Sequence, residues 1–353
     1  MTSILESEIH EQPAALERLL AAESDNAARL GRELIRRDVT YLVIAARGTS
    51  DNAARYAQYL FGAYQRLPVA LATPALYTLY ASPPKMDGAL VIGISQSGRS
   101  PDIVSVIQAG RAQGRPTLAI TNTPDSPLAR AAEYVLPIHA GDERAVAATK
   151  TYTTSLAALA LLSTALARDE PRRAELERLP GLMRQALTDL APLLPRVERY
   201  TYIEHSAVIG RGFNYATAFE IALKVKELTR VVTEPYSSAD FLHGPISMVT
   251  SGFPLILVAP SGKTLSDMAA LASVGREHGA DLIIISDDGA LLDHADTPLP
   301  LPRGVPEFLS PLVAVIPGQL FALRLTLAKG YDADRPAGLS KVTETHGNWR
   351  KEM

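Results

Sequence analysis

Three hydroxyls, a carboxamide and a glycine fall within six residues, Ser95-Gln96-Ser97-Gly98-Arg99-Ser100. They follow the apolar run Leu90-Val91-Ile92-Gly93-Ile94 and precede Pro101, Asp102 and an amphipathic stretch over residues 103–112. That layout predicts a strand, a tight turn and a helix. Pro101 suits the first helical turn, where a missing N–H removes no helical bond. The loop then sits where unpaired helix N–H groups and the positive end of the helix dipole face outward, a place for an anion and most often a phosphate. Hydroxyls and an amide add partners for phosphate oxygens and sugar hydroxyls. A polar turn with a good N-cap is the plainer alternative.

Further downstream, Lys224 and Glu227 lie three apart within a stretch rich in Ala216, Ala218, Phe219, Ile221, Ala222 and Val225. On a helix they share a face. A solvated ion pair is the ordinary reading, but a helix apolar on most sides is buried, and a buried Lys–Glu pair points to function. His243, in Phe241-Leu242-His243-Gly244-Pro245, stands in a Gly/Pro turn. Histidine titrates closer to neutrality than other side chains, which suits proton transfer, although a lone histidine is more often a hydrogen-bonded structural one. Gly210-Arg211-Gly212 opens like a dinucleotide fingerprint, but Tyr215 stands where a third small residue belongs and Glu234 lies late for a ribose contact. A NAD site is therefore weakly supported.

These residues need rigid elements to hold them, and the chain supplies them in alternation. Residues 1–37 read as one or two helices. Apolar strands are predicted at residues 41–46, 69–72, 89–94, 117–121 and 134–138, with helices over 52–64, 103–113 and 149–167. Continuous apolar strands between helices predict a parallel sheet covered on both faces. Residues 169–199, charged and punctuated by proline, read as a helical connector.

The pattern then restarts. Val208-Ile209-Gly210-Arg211-Gly212 echoes Ile44-Ala45-Ala46-Arg47-Gly48, and Ala259-Pro260-Ser261-Gly262 echoes Ser95-Gln96-Ser97-Gly98; both offsets (211 − 47 and 261 − 97) are 164. A repeat this long indicates a duplicated α/β domain, since solenoid periods are about 20–50 residues. The second loop has lost a serine and the amide and is the poorer phosphate cradle. A final helix is expected over residues 308–329, and then a polar, irregular tail carrying Lys341.

With 353 residues, 47% apolar and 21% charged, the chain can bury a large core. A net charge of −3 without a basic block gives nucleic-acid binding no support. The absence of cysteine excludes disulfides, thiolate catalysis and Cys-bound zinc, and no two of the seven histidines are spaced as ligands on one helix, so no metal site is expected. No signal peptide is expected around Glu6 and Glu8, and no stretch of transmembrane length; the expected location is the cytoplasm.

Taken together, Arg47-Gly48-Thr49-Ser50, Ser95-Gln96-Ser97-Gly98-Arg99-Ser100-Pro101-Asp102, Ala147-Ala148-Thr149-Lys150-Thr151, Ala222-Leu223-Lys224-Val225-Lys226-Glu227, Phe241-Leu242-His243-Gly244-Pro245 and Pro336-Ala337-Gly338-Leu339-Ser340-Lys341 resemble the SIS (sugar isomerase) family of phosphosugar-binding domains. The resemblance covers residues 38–345. The tandem arrangement is similar to the isomerase half of glucosamine-6-phosphate synthase. It implies an α/β fold of two doubly wound, flavodoxin-like parallel sheets: N-terminal helices over 1–37, SIS domains over 38–168 and 200–330 joined by a connector over 169–199, and a C-terminal active-site tail over 331–353.

The resemblance also implies roles. Thr49, Ser50, Ser95, Gln96, Ser97 and Ser100 would hold the phosphate and sugar hydroxyls, and Val146 would lie against the sugar. Glu227 would carry a proton between C1 and C2, supported by Lys224. His243 would assist ring opening from the neighbouring subunit of a homodimer. Lys341 would contact the open-chain sugar, a Schiff base being one form of that contact. No cofactor is implied. The chain starts about where the isomerase half of the synthase starts and lacks its terminal cysteine, and Arg47 replaces a cysteine before Gly-Thr-Ser, so glutamine hydrolysis is not expected. The loop and tail motifs are closer to the stand-alone glucosamine-6-phosphate deaminases of the SIS type. The expected reaction is glucosamine-6-phosphate to fructose-6-phosphate and ammonia. The alternatives are a synthase-like isomerase, an enzyme for another aminosugar phosphate, and a non-catalytic phosphosugar sensor.

Overall fold

A computed structural model describes residues 3–341. Its contacts divide the chain into two compact units. Of the described residues, one consists of 14–143, 150–177 and 340–341; the other consists of 3–13, 144–149 and 178–339. Each is built on one sheet.

The first sheet contains β1 (Tyr41–Ala45), β2 (Val69–Leu71), β3 (Ala89–Ser95), β4 (Thr117–Thr121) and β5 (Tyr134–Pro137) in the order β2-β1-β3-β4-β5, all parallel. Every residue of β3 and β4 is buried, as two-sided burial of a parallel sheet requires. The helices Gln12–Ile35, Thr49–Gln65, Pro101–Ala112 and Lys150–Ala167 accompany it. Gly31 and Ala165 pack so closely that a Cβ on Gly31 would lie 2.8 Å from the Ala165 carbonyl.

The second sheet repeats the topology. Its strands are β6 (His205–Gly210), β7 (Val232–Ser237), β8 (Pro254–Val258), β9 (Asp281–Ser286) and β10 (Thr297–Pro300), parallel and ordered β7-β6-β8-β9-β10. Both sheets thus have the doubly wound order of flavodoxin-like folds, with the order reversing between β1 and β3 and between β6 and β8. The duplication expected from the 164-residue offset is present.

The expectation that no segment reaches membrane-spanning length is corrected. The helical segment Glu307–Ala328 is long and apolar enough by length and composition, but its apolar window is 94% buried within its unit. It is a core element: the Ser310–Ala328 helix packs on the Tyr215–Thr229 helix, where a Cβ on Gly318 would lie 2.3 Å from Ile221. A helix apolar on all sides is one that protein surrounds.

The first helix, Ile4–His10, joins this second unit. The Asp334 carboxylate accepts hydrogen bonds from the Ile4 and Leu5 N–H groups at 3.0 and 2.8 Å, and Arg324 pairs with Glu6 at 2.9 Å. The expected connector is the helix Glu170–Leu190 followed by a 3-10 segment, Ala191–Tyr202.

Candidate functional site

The Ser95–Ser100 loop leaves the carboxyl end of β3, and Thr49 and Ser50 begin the helix that follows β1. Both therefore lie at the switch point of the first sheet, where ligands bind in open α/β folds. Ser95 is buried, and its hydroxyl accepts the Gly98 N–H at 3.1 Å. The Gln96 carbonyl accepts bonds from Thr121 Oγ1 and the Asn122 N–H, both at 3.2 Å. Gly98 has φ +61°, and a Cβ there would lie 2.1 Å from Ser126 Oγ, so the turn requires glycine on two counts. Ser100 is the N-cap of Pro101–Ala112, yet its side chain makes no cap bond. Among the described residues, the side chains of Ser50, Gln96 and Ser100 make no intramolecular hydrogen bond. Polar groups of a packed domain usually find partners, so their hydroxyl and amide groups can serve a ligand.

An ion pair braces this switch point. Arg47 Nε lies 2.7 Å from Asp102 Oδ2, tying the end of β1 to the first turn of the helix after β3. The second copy has the same brace, with Arg211 Nε 3.0 Å from Asp267 Oδ2. The two loops otherwise differ. In the second copy the Ser261 N–H donates to Asp287 at 2.6 Å and the Lys263 N–H to Glu307 at 2.9 Å. The N–H groups that could meet an anion meet the protein's own carboxylates. These bonds are a second difference between the two loops, one that sequence did not show.

The other unit carries the charged cluster. Lys224 lies in the Tyr215–Thr229 helix, and its side chain is 2% exposed. Its ammonium donates to Glu227 Oε2 at 2.6 Å and lies 3.5 Å from Glu220 Oε1. Glu220 is wholly buried, whereas 26% of the Glu227 side chain is exposed. The helix spacing i, i+4, i+7 puts all three on one face. Of the two carboxylates, Glu227 is the one that can meet a substrate. Glu220 was not among the expected residues, although its place four before Lys224 was a usable signal.

His243 ends the short helix Ser238–Leu242 and is exposed, before Gly244 with φ +141°. Its ring makes no hydrogen bond among the described residues. Val146 is half-buried in the segment 144–149 of this same unit, a segment held where Glu8 accepts the Arg144 and Ala145 N–H groups at 2.5 and 3.3 Å.

Lys341 falls in the first unit. Its ammonium donates to Glu143 Oε2 at 2.9 Å. The Glu143 side chain is wholly buried and also accepts the Thr151 N–H at 3.0 Å and the Thr151 hydroxyl at 2.8 Å. Sequence reasoning missed Glu143, whose partner lies 198 residues away. The expected residues thus form two groups: Thr49, Ser50, Ser95, Gln96, Ser97, Ser100 and Lys341 in one unit, and Val146, Lys224, Glu227 and His243 in the other. Among the described residues, no group of three His, Asp or Glu is placed to hold a metal ion.

Comparison with known proteins gives this geometry a context. The SIS domain family matches residues 37–165 and 203–329, more than half of the chain. A glutamine–fructose-6-phosphate aminotransferase (isomerizing) of Pyrococcus horikoshii is 34% identical over 346 residues, covering 95% of this chain and 56% of that protein. The chain therefore spans about half the length of the relatives it matches. The C-terminal domain of glucosamine-fructose-6-phosphate aminotransferase from Francisella tularensis superimposes with a TM-score of 0.86 at 29% identity, covering 95% of this chain and 99% of that one. A candidate phosphosugar isomerase from Silicibacter pomeroyi gives 0.85 at 32%, over 94% and 100%. The homology is to the isomerase half of the aminotransferase.

Proposed function

The chain belongs to the SIS domain family, and on that premise we propose that it is an aminosugar-phosphate isomerase/deaminase, converting glucosamine-6-phosphate to fructose-6-phosphate and ammonia. The observation that carries this reading is the Glu220–Lys224–Glu227 cluster, a buried ammonium between a sealed carboxylate and a partly exposed one. Charges are costly to bury, and such clusters gather at reactive sites.

The roles follow from the chemistry. The Ser95–Ser100 loop, with Thr49 and Ser50, holds the phosphate, remote from the reacting carbons, and so supplies binding energy for orientation. His243 moves the proton that opens the sugar ring. Glu227 then takes the proton from C2 of the open-chain aldose and returns it to C1, and a carboxylate on a rigid helix can reach two adjacent carbons. The C2 imine that results takes up water and releases ammonia, so the atoms balance without a redox partner or cofactor. Val146 packs against the sugar, Lys224 fixes Glu227, and Lys341 contacts the open-chain substrate.

We assign the protein to a cytoplasmic homodimer in which each subunit supplies His243 to its partner. In support, His243 is exposed and is flanked by Leu242 and Met248, which are 48% and 39% exposed. The likeness to aminotransferase relatives supports a second reading, in which the same residues run the reaction towards the aminosugar with ammonia supplied. An ammonia assay across glucosamine-, galactosamine- and fructosamine-phosphates tests the first reading: release from the first substrate supports it, and no release from any of them refutes it.

A further inference from the structure

Lys341 lies on an irregular tail, with four rotatable bonds between its backbone and its ammonium. A flexible cation on such a segment needs something rigid to define its position, since fixing a lysine side chain costs rotamer entropy. Glu143 is such a point. It precedes the Lys150–Ala167 helix, and both of its oxygens are engaged: Oε1 by the Thr151 N–H, and Oε2 by the Thr151 hydroxyl and the Lys341 ammonium. Thr151 is the second residue of the helix, so its N–H is one of the donors that have no partner inside the helix. A carboxylate there also meets the positive end of the helix dipole. Thr151 thus holds both oxygens of Glu143 by contacts that do not involve the tail. Its side chain is wholly buried while that of Lys341 is 23% exposed, so the anion is the fixed member and the cation the one being placed.

We infer that Glu143 is the positioning residue for Lys341: its carboxylate, seated on the start of the Lys150–Ala167 helix, latches the tail and sets the direction of the Lys341 ammonium. The catalytic consequence rests on the function proposed above, in which Lys341 touches the substrate; the latch itself does not. The charge is the working feature. In Glu143→Gln the amide oxygen still accepts the Thr151 N–H, but the group that faces Lys341 loses its charge.

The test combines Glu143→Gln, Lys341→Met and the double variant in the full chain. Amide hydrogen exchange of the peptide spanning residues 336–341 reads the latch without substrate. Release of the contact is expected to raise exchange there by roughly tenfold in each single variant and no further in the double. Ammonia release reads the catalytic role. Glu143→Gln is expected to lower kcat by about 10–100-fold with KM nearly unchanged, and the double variant to be no slower than Lys341→Met, as for residues that act as a unit. Exchange at residues 336–341 that is unaltered by Glu143→Gln would overturn the latch. Losses in kcat that multiply in the double variant would overturn the positioning role. If the wild type releases no ammonia, the proposed function fails while exchange still decides the latch. If Glu143→Gln does not fold, Lys341→Met gives the same comparison from the partly exposed side.

Discussion

The Lys224 ammonium stands 2.6 Å from a carboxylate oxygen of Glu227, and the same nitrogen is 3.5 Å from Glu220. One buried cation thus serves two carboxylates on one helix face. The partner behind it is sealed, and the partner in front is open to solvent. Removing the cation leaves Glu220 buried without it. Lys224→Met, similar in length and apolar, is expected to destabilise this unit by about 3–5 kcal/mol, the scale on which removing one member of a buried ion pair destabilises a fold. Urea denaturation followed by circular dichroism measures it. A loss below 1 kcal/mol would show that the buried cluster does not hold this unit together.

Gly98 should tolerate no side chain. Alanine there meets Ser126 at 2.1 Å and must adopt a positive φ. Gly98→Ala is expected to cost about 1–3 kcal/mol from overpacking and backbone strain. KM for a phosphorylated sugar should rise far more than KM for the free sugar. Equal changes in the two would remove the loop from the phosphate site.

The second loop should behave oppositely. Glu307 accepts the Lys263 N–H, and Asp287 accepts the Ser261 N–H. Glu307→Ala, which removes the acceptor, is expected to lower stability by about 1 kcal/mol, the usual net worth of such a hydrogen bond, and to leave kcat and KM alone. A change in KM would mean that the second copy takes part in binding.

Two buried phenols predict the alkaline limit of stability. Burial pushes Tyr56 well above the ordinary tyrosine range, and burial and then the bond to Asp281 do the same for Tyr200. The folded protein therefore keeps protons that the unfolded chain gives up above a pH of about 10. Their contribution is intact below that pH and is lost as pH rises beyond it. Urea midpoints should fall steadily above a pH of about 10, and Tyr200→Phe should flatten that fall for its unit. A midpoint independent of pH in this range would contradict the assignment.

The parts of the site written in local sequence were legible. The Ser95–Ser100 loop follows from a strand, a glycine and a proline, and the fold then puts it at a switch point. Lys224 and Glu227 follow from helical spacing. What was not legible depends on distant pairing. Glu143 meets Lys341 across 198 residues, and no local pattern announces that contact. Glu307 reaches back 44 residues to Lys263. The first helix joins the unit of the second copy because Asp334 and Arg324 hold it, more than 300 residues downstream. The final helix was legible over residues 308–329, but its burial on nearly all sides was not, because that depends on neighbours distant in sequence.

The central claim is that Glu227 carries the proton in an aminosugar-phosphate reaction. It is tested most directly by ammonia release from glucosamine-6-phosphate, comparing the wild type with Glu227→Gln. The account predicts release by the wild type with fructose-6-phosphate formed in equal amount, and a fall in kcat of roughly 10³-fold in the variant, the scale of a lost general base. Turnover by Glu227→Gln at the wild-type rate would contradict it.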